Sequence, residues 1–444
     1  DRPPFDLDAF PKGYKFDYLN EEILQEKLSV KDGKIHVENS GDYRVITLRD
    51  SENILLSTLK KVKELVLNGA VVLGDKPKDS PSLMDDTTDL EELKSISDEL
   101  WGNTKSGVKQ VGKGKIYWGK TLDGVLKEEK ITKDVIVPEN LNINWIHRET
   151  KDAHIYFVAS KDDDPVDVAL SFRIDNLSPQ IWDAFTGNQQ EAKIWKSENN
   201  RTNIALSLPK NGSKIIVFSK SDAKPMASKI TLNDKTILDT KTGWYQVHKT
   251  EIYPELSFNN DEFLVSISGD YKFHQNEKVI TKTVSLKEVS LQNNWNLFFD
   301  KGWDTPKSIE IAALKSLSAL ENEAVKHYSG TTTYTKTIDV KETGEITILD
   351  LGEVANIAEV WLNGKKVGVK WAPPFKFDVS NYLEKGDNTL EIKVTNTWRN
   401  QLIFDNKRPK GAKKTWTTSR PRNNETELEK SGLIGPVKLK SIKH

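Results

Sequence analysis

The chain has 444 residues, with 65 Lys and Arg against 66 Asp and Glu, a formal charge of −1 and no cysteine. The balanced charge offers no field to concentrate polyanions, so neither nucleic acid nor a membrane surface is an expected partner. No apolar run reaches the roughly 18 residues that a membrane helix needs. Without cysteine there can be no disulfide, thiolate metal site or cysteine nucleophile. The length leaves room for about three domains of roughly 150 residues each.

Residues 1–140 alternate between strand and helix patterns, which predicts a parallel sheet covered by helices. The apolar residues of 55–66 recur at helical spacing, and Gly69 is placed to end that helix. Residues 90–100 predict a second helix, and Thr121 is a candidate N-cap of a third. The strand patterns lie at residues 43–48, 70–73 and 115–118.

From residue 141 the pattern changes to short alternating strands separated by turn residues, which predicts β-sandwiches. The first all-β region spans 141–284, with strand patterns at 155–158, 166–170, 204–206, 215–218 and 263–268. The second spans 285–444, with strong alternation at 346–351 and 390–394. Asn363-Gly364 and residues 385–388 predict hairpin turns in this second region.

The last region carries several local signatures in a fixed order. They are His327-Tyr328-Ser329-Gly330, Asp350-Leu351-Gly352, Val360-Trp361-Leu362-Asn363-Gly364, Trp371-Ala372-Pro373-Pro374-Phe375, Val394-Thr395-Asn396 and Ser431-Gly432-Leu433-Ile434-Gly435-Pro436-Val437. This region resembles the galactose-binding-like jelly roll of glycoside hydrolases, as in family 2 and especially in the bacterial family 106 α-L-rhamnosidases. Upstream, Gly114-Lys115-Ile116-Tyr117-Trp118-Gly119 resembles the amidotransferase-like domain that follows the catalytic barrel in family 106. Asn144-Trp145-Ile146-His147-Arg148 resembles the β domain after it.

The resemblance implies a multidomain chain of α/β plus all-β class. An amidotransferase-like, flavodoxin-like domain would cover 1–140, a β-sandwich 141–284, and a galactose-binding-like jelly roll 285–444. The two catalytic carboxylates of the family lie on a (β/α)8 barrel that precedes everything matched here, so no catalytic residue is assigned. The start at Asp1-Arg2-Pro3, without a Met or an apolar leader, predicts a processed or truncated N-terminus. A periplasmic or extracellular location follows from the family alone.

Amidotransferase chemistry is not expected, because it needs a cysteine and the sequence has none. No cofactor is expected either, because Gly69 and Gly74 do not form a phosphate-binding fingerprint. Galactose-binding-like sandwiches often hold a structural calcium ion, but no ligands for one can be assigned. His147 and His154 lie in a predicted hairpin, and a metal role is the less favoured interpretation for them. Acidic runs such as Asp162-Asp163-Asp164 are interpreted as solvated turns rather than catalytic pairs.

The most promising region lies between residues 396 and 422, where aromatic side chains and hydrogen-bond donors crowd a segment between two strands. The chain has 12 Trp, a high count for this length, and sugars bind to flat aromatic faces and to amide or guanidinium donors. We expect a substrate-binding group made of Trp371, Asn396, Trp398, Arg399 and Trp416. Further candidates in the segment are Asn400, Gln401, Arg408, Arg420 and Arg422. A loop packed on the catalytic barrel is the interpretation that the sequence leaves open beside sugar contact.

The sequence supports three hypotheses for the function of the chain. The first is an accessory region that supports the barrel of an α-L-rhamnosidase acting on a rhamnose-containing polysaccharide, with carbohydrate and the barrel domain of the parent protein as partners and no activity of its own. The second is a stand-alone carbohydrate-binding protein without hydrolase activity. The third is a complete enzyme whose site is unrecognised. An exposed apolar patch on the first domain would favour the first, and a Trp-lined groove would favour the second.

Overall fold

A computed structural model describes residues 10–48, 51–184, 187–248, 256–259, 262–301, 303–342, 345–418 and 427–444. The chain forms two compact units. Unit 1 consists of Asp1–Asn140, Leu170–Asp175 and Ser197–Thr202, and unit 2 of Leu141–Ala169, Asn176–Lys196 and Asn203–His444. The division into three domains at 140 and 284 stays a prediction.

The described residues are mostly sheet, with few helices. In chain order the helices are α1 (Glu21–Lys27), α2 (Leu56–Asn68), α3 (Thr87–Leu100), α4 (Leu122–Glu128), α5 (Glu323–Lys326) and α6 (Arg399–Asn406), with 3-10 turns at Leu317–Ala319 and Lys410–Ala412. The strands of the first part are β1 (Leu28–Lys31), β2 (Lys34–Val37), β3 (Gly41–Tyr43), β4 (Ile46–Thr47), β5 (Val71–Leu73), β6 (Gly107–Val111), β7 (Gly114–Trp118) and β8 (Val135–Ile136).

The remaining strands fall into two runs along the chain. The first run is β9 (Ile143–Glu149), β10 (Ala153–Ser160), β11 (Val166–Phe172), β12 (Ser178–Trp182), β13 (Gln189–Glu191), β14 (Trp195–Glu198), β15 (Arg201–Leu208), β16 (Ser213–Ser219), β17 (Lys229–Leu232), β18 (Lys235–Asp239), β19 (Tyr245–Val247), β20 (Leu256–Asn259), β21 (Glu262–Val265), β22 (Gly269–Gln275) and β23 (Lys278–Ser290). The second run is β24 (Asn293–Phe299), β25 (Ser308–Ala313), β26 (Thr331–Val340), β27 (Ile346–Asp350), β28 (Glu353–Ala355), β29 (Ile357–Leu362), β30 (Lys365–Lys370), β31 (Lys376–Asp378), β32 (Gly386–Thr395), β33 (Gly432–Gly435) and β34 (Lys438–Lys443).

Unit 1 contains a mixed sheet rather than a purely parallel one. Its order is β4-β5-β7-β6, with β4, β5 and β7 parallel and β6 antiparallel to β7. The antiparallel strand arises because β6 and β7 are joined by a tight turn at Gly112, whose φ of 57° suits glycine. Strands β1, β2 and β3 form a separate antiparallel sheet. A small mixed sheet of this kind does not establish a flavodoxin-like domain.

Helices α2, α3 and α4 lie where the sequence predicts them, whereas α1 was not predicted. Gly69 ends α2 with a φ of 124°, a conformation that few other residues adopt. The Thr121 hydroxyl accepts a hydrogen bond from the Gly124 amide and caps α4. Leu59, Val62 and Val66 of α2 are fully buried against the sheet core. Helix α2 is therefore held by an apolar stripe at helical spacing.

The predicted strand at 43–48 is confirmed only in part, for residues 46–47, which form β4. The chain there supplies β3 to the antiparallel sheet and β4 to the mixed sheet, so its two ends pair with different partners. A strand pattern in the sequence indicates that the residues favour a β-sheet, but it does not indicate which sheet they join.

In unit 2 the strands of the C-terminal region form two large sheets. One has the order β25-β24-β26-β32-β29-β30, and the other has the order β18-β17-β22-β23-β34-β27-β31. A continuous apolar core is built from their residues, including the fully buried Trp295, Tyr334 and Ile392. Earlier in the chain, β13-β12-β16-β10-β9 form a five-stranded antiparallel sheet. The expectation of sandwich-like sheets after residue 141 is confirmed at this level.

The two predicted hairpin turns have different outcomes. Asn363-Gly364 joins β29 to β30 with φ values of 52° and 75°, the left-handed pair that a type I′ turn needs. The prediction at 385–388 is wrong, because β32 pairs with β26 and β29 and not with the strand before it. Asn388 is buried there, and its side chain hydrogen-bonds Glu384 and Gly386, so the turn serves a crossing between sheets.

Replacing Gly114 with Ala should destabilise unit 1. A Cβ at this position would lie 2.2 Å from the Ala70 carbonyl oxygen and 2.4 Å from that of Val66, and backbone atoms cannot move aside as a side-chain tip can. We expect a loss of at least 1–3 kcal/mol, roughly the cost of overpacking, seen as a lower midpoint in thermal unfolding followed by circular dichroism. Gly41→Ala is the matched control, since a Cβ there has nothing within 4 Å. Equal midpoints for the two variants would contradict the steric argument.

Candidate sugar-binding segment

Residues 396–418, here called the 396–418 segment, are folded around one buried carboxylate. Asp405 on α6 is fully buried. Its Oδ2 accepts hydrogen bonds from the Lys414 amide at 2.9 Å, the Thr415 amide at 2.7 Å and the Thr415 hydroxyl at 2.6 Å. The chain that leaves α6 is thereby brought back onto the helix about ten residues later.

Asp405 is held in its charged form. Burial acts to raise the pKa of this carboxyl, but the hydrogen bonds from Thr415 and Lys414 and the nearby Arg408 outweigh burial and lower it. The ionised group is what accepts three donors on one oxygen. The fold of the segment therefore depends on a charge that is satisfied from within the segment.

A second acid fastens the same loop from outside. Asp304 lies 2.8 Å from the Arg408 guanidinium and 2.6 Å from the Lys414 ammonium. These two hydrogen bonds lower the pKa of Asp304. The Arg408 guanidinium also lies 4.4 Å from the centre of the Phe404 ring. Arg408 and Lys414 are thus turned toward Asp304, and Arg408 also toward the Phe404 ring.

Trp398 and Trp416 present their rings to solvent from this fastened segment. Trp398 is 56% exposed, and its ring meets Trp303 edge-on at 5.6 Å, which in turn meets the fully buried Tyr328. Trp416 is 86% exposed and directly follows the anchored Thr415. Each ring is therefore attached to a fixed backbone while one face stays open, as stacking on a sugar requires.

Asn396 and Arg399 fasten the start of the segment. The Asn396 side-chain oxygen accepts from the Gly330 amide at 2.9 Å, and its nitrogen donates to the Tyr328 carbonyl at 2.8 Å. Arg399 Nε lies 3.8 Å from a carboxylate oxygen of Glu429. Much of the hydrogen-bonding capacity that the sequence offers for hydroxyl groups is thus directed at the protein itself.

Trp371 lies at a cleft in the same unit. Its ring is 63% exposed just after β30. The cleft has a volume of about 260 Å³ and is lined by Gly352, Glu353, Val354, Asn356, Trp371, Pro373 and Phe375. The Asn356 amide donates to the Thr395 carbonyl at 3.1 Å, one residue before the 396–418 segment begins. This bond connects the wall of the cleft to the root of the segment.

The remaining sequence candidates have other surroundings. Asn400 is buried and exchanges two hydrogen bonds with the backbone of Glu429, and the buried Gln401 donates to Asp405. In the predicted β9–β10 hairpin, His147 Nε2 lies 3.1 Å from His154 Nδ1. In the part of the chain that the structure describes, no three His, Asp or Glu side chains are grouped to hold a metal ion. Arg420 and Arg422 lie outside the described residues.

Sequence reasoning missed the acids that hold these surfaces in place. Asp304, Asp405 and Glu429 stand in no recognisable motif, and nothing local separates a buried carboxylate from the many solvated ones. Glu353 and Asn356 of the cleft were also missed. The one local signal of the cleft was Trp371 followed by Pro373-Pro374. Prolines interrupt a strand, so this pattern indicated that the Trp371 ring is exposed.

Comparison with known proteins identifies two glycoside hydrolase regions. Residues 5–196 match the family described as alpha-L-rhamnosidase, glycoside hydrolase family 106. Residues 316–430 match the glycosyl hydrolase 2 galactose-binding domain-like family. The resemblance stated from the sequence is therefore confirmed for both regions. Across the described residues, no helix is both long and apolar enough to cross a membrane.

Two longer proteins resemble nearly the whole chain. A solved structure of a rhamnosidase from Novosphingobium sp. PP1Y matches 99% of this chain and 37% of that chain, with a TM-score of 0.75 and 26% identity. A protein of Formosa agariphila, whose name provisionally assigns it as a beta-glucuronidase, is 27% identical over 96% of this chain and 53% of its own length. The chain thus spans about half or less of the length of these relatives.

Replacing Asp405 with Ala should loosen the loop that carries Trp416. The donors on Lys414, Thr415 and Gln401 would lose their acceptor, at a cost of about 1–3 kcal/mol, so we expect the Lys414 and Thr415 amides to exchange with deuterium at least tenfold faster. Asp405→Asn keeps an oxygen for these donors and should give an intermediate rate. Asp304→Ala, which removes the partly exposed ion pairs to Arg408 and Lys414, should have a much smaller effect. If the exchange rates are unchanged in Asp405→Ala, this carboxylate does not anchor the loop.

Proposed function

We propose that this chain, a glycoside hydrolase region with α-L-rhamnosidase family sequence at residues 5–196, is the accessory C-terminal part of such an enzyme. In this proposal it supports the catalytic barrel of a longer protein, and it contacts a rhamnose-containing polysaccharide through the 396–418 segment. The observation that carries the proposal is the fold match of 99% of the chain to only 37% of the Novosphingobium rhamnosidase. Periplasmic or extracellular placement is part of the same proposal and rests on the family.

The buried acids of the described chain support an accessory role. Glycoside hydrolysis needs two carboxyl groups that face one substrate bond. Asp405 is committed to the backbone of its own segment. Asp167 is also buried, and it accepts from the Ser207 hydroxyl at 2.5 Å and contacts His248 at 2.9 Å. Both acids thus serve the fold.

The arrangement around Asp167 also argues against an unrecognised serine hydrolase. A catalytic triad places the histidine between the serine and the acid, so that histidine takes the serine proton. Here Asp167 lies between Ser207 and His248. The serine hydroxyl therefore donates to the carboxylate and is not activated by the histidine.

The exposed tryptophans support sugar contact. Trp371, Trp398 and Trp416 are each more than half exposed, so their rings are available for stacking on a sugar. Fixed aromatic rings with amide and carboxylate groups nearby suit a ligand that has both C–H faces and hydroxyls. A stand-alone sugar-binding protein would use the same surface, but it leaves the family 106 sequence of residues 5–196 unexplained.

Unit 1 is proposed to be a structural relative of the amidotransferase-like domain. Its mixed sheet has three parallel strands, and the chain has no cysteine to act as the nucleophile of that chemistry. The domain boundaries near 140 and 284 belong to this proposal too. A role in packing against neighbouring domains is then the simplest use of the unit.

Hydrolysis of an aryl α-L-rhamnoside separates the accessory role from a complete enzyme. We expect no turnover by the 444-residue chain, and turnover by a longer protein that also contains the catalytic barrel expected for family 106. The longer protein with its barrel carboxylates replaced is the control for contaminating activity. Turnover by the 444-residue chain alone would overturn the proposal.

Binding to rhamnogalacturonan in an affinity gel tests the sugar-contacting role of the segment. Trp398→Ala and Trp416→Ala should each reduce retardation at least tenfold, which corresponds to about 1.4 kcal/mol of lost stacking. Phe157→Ala, which removes a 42% exposed ring from strand β10, is the matched control and should be retarded as the unchanged chain is. If all variants migrate alike, the segment does not contact this polysaccharide.

A further inference from the structure

The cleft beside Trp371 has one apolar side and one polar lip. Val354 and Phe375 are at most 9% exposed and belong to the sandwich core, so their edges form an apolar floor. Trp371 and Pro373 extend that surface outward. The cleft therefore combines a small apolar floor with one exposed aromatic ring.

The polar lip is supplied by Glu353 and Asn356. Both carboxylate oxygens of Glu353 lie within 3.1 Å of the Lys430 ammonium, which fixes the carboxylate without burying it. The Asn356 side chain is exposed, while its backbone amide is bonded to Thr395. The fixed carboxylate of Glu353 and the exposed side-chain amide of Asn356 can accept from and donate to hydroxyl groups.

The size of the cleft limits what it can hold. Its volume of about 260 Å³ lies just below the roughly 300–1,000 Å³ of pockets that hold drug-sized ligands. One sugar ring fits this space better than an oligosaccharide does. The lining residues also include none from the 396–418 segment, so the cleft can be tested separately.

We infer that this cleft is a subsite for a single 6-deoxyhexose ring, which stacks on Trp371 with its methyl end on Val354 and Phe375 and its hydroxyls at Glu353 and Asn356. This inference rests on the proposed function, since a terminal or branching deoxy sugar of the polysaccharide would be the occupant. A hydroxymethyl group on the apolar floor would leave an oxygen without a partner, which is unfavourable. The discrimination is modest, because apolar pockets reject an added hydroxyl only weakly.

Saturation-transfer NMR on the full 444-residue chain tests the subsite with two sugars that differ only at carbon 6, L-rhamnose and L-mannose. We expect L-rhamnose to bind in the millimolar range and L-mannose several-fold more weakly. Trp371→Ala should weaken L-rhamnose binding at least tenfold, and Asn356→Ala should weaken it several-fold. Phe298→Ala removes a 40% exposed ring from the same sandwich and should leave the binding unchanged. Thermal unfolding of each variant confirms that it is folded.

Each outcome decides one part of the inference. No binding of L-rhamnose by the unchanged chain overturns the subsite, even if the chain is still retarded by polysaccharide through Trp398 and Trp416. Binding that persists in both Trp371→Ala and Asn356→Ala places the sugar elsewhere and also overturns it. Equal affinity for L-mannose overturns the preference for a deoxy sugar. Loss of polysaccharide retardation with L-rhamnose binding intact would instead reject the proposed role of the segment alone.

Discussion

Strand β23 is the element on which the arrangement of unit 2 depends. It has 13 residues, about 43 Å at 3.3 Å per residue. Residues 278–284 pair with β22, and residues 285–290 pair with β34. One continuous backbone ladder therefore runs from the strands before residue 284 into the C-terminal sandwich. Any relative movement of the two regions would break backbone hydrogen bonds of this strand, so the loops at the sandwich end project from a fixed frame.

The 396–418 segment combines anchored polar side chains with exposed aromatic rings. Several of its polar side chains bond to the backbone, and its two tryptophan rings are left exposed. Asp405, Asn396 and Asn400 all bond to backbone groups, while Trp398 and Trp416 remain open. Such a surface binds more tightly, because the entropy cost of ordering the loop is already met in the folded protein and does not reduce the binding free energy. The rings on this anchored loop can therefore bind a ligand without a change in the conformation of the loop.

The sequence allowed prediction of features that depend on a few neighbouring residues. Gly69 and Thr121 act within one helical turn, and Asn363-Gly364 acts within one hairpin, so each could be recognised locally. Residues 385–388 carry the same kind of turn signal, yet they lead into a strand whose partners come from distant parts of the chain. The exposed Trp371 could be anticipated from its prolines, but the burial of Asp405 depends on a contact with Lys414 and Thr415 that no local pattern encodes.

The surroundings of the exposed rings bear on the two interpretations of the segment. A surface that packs on a barrel would be dry at its centre, and lysines are depleted in such interfaces. The segment instead places Lys407, Lys410, Lys413 and Lys414 within a short stretch beside Trp416. Its large exposed apolar side chains, among the residues described, are Trp398 and Trp416, without the aliphatic neighbours that would complete a dry patch. Exposed aromatic rings in a hydrated, charged setting match a sugar chain, which stacks by its C–H faces and keeps most of its hydroxyls in water.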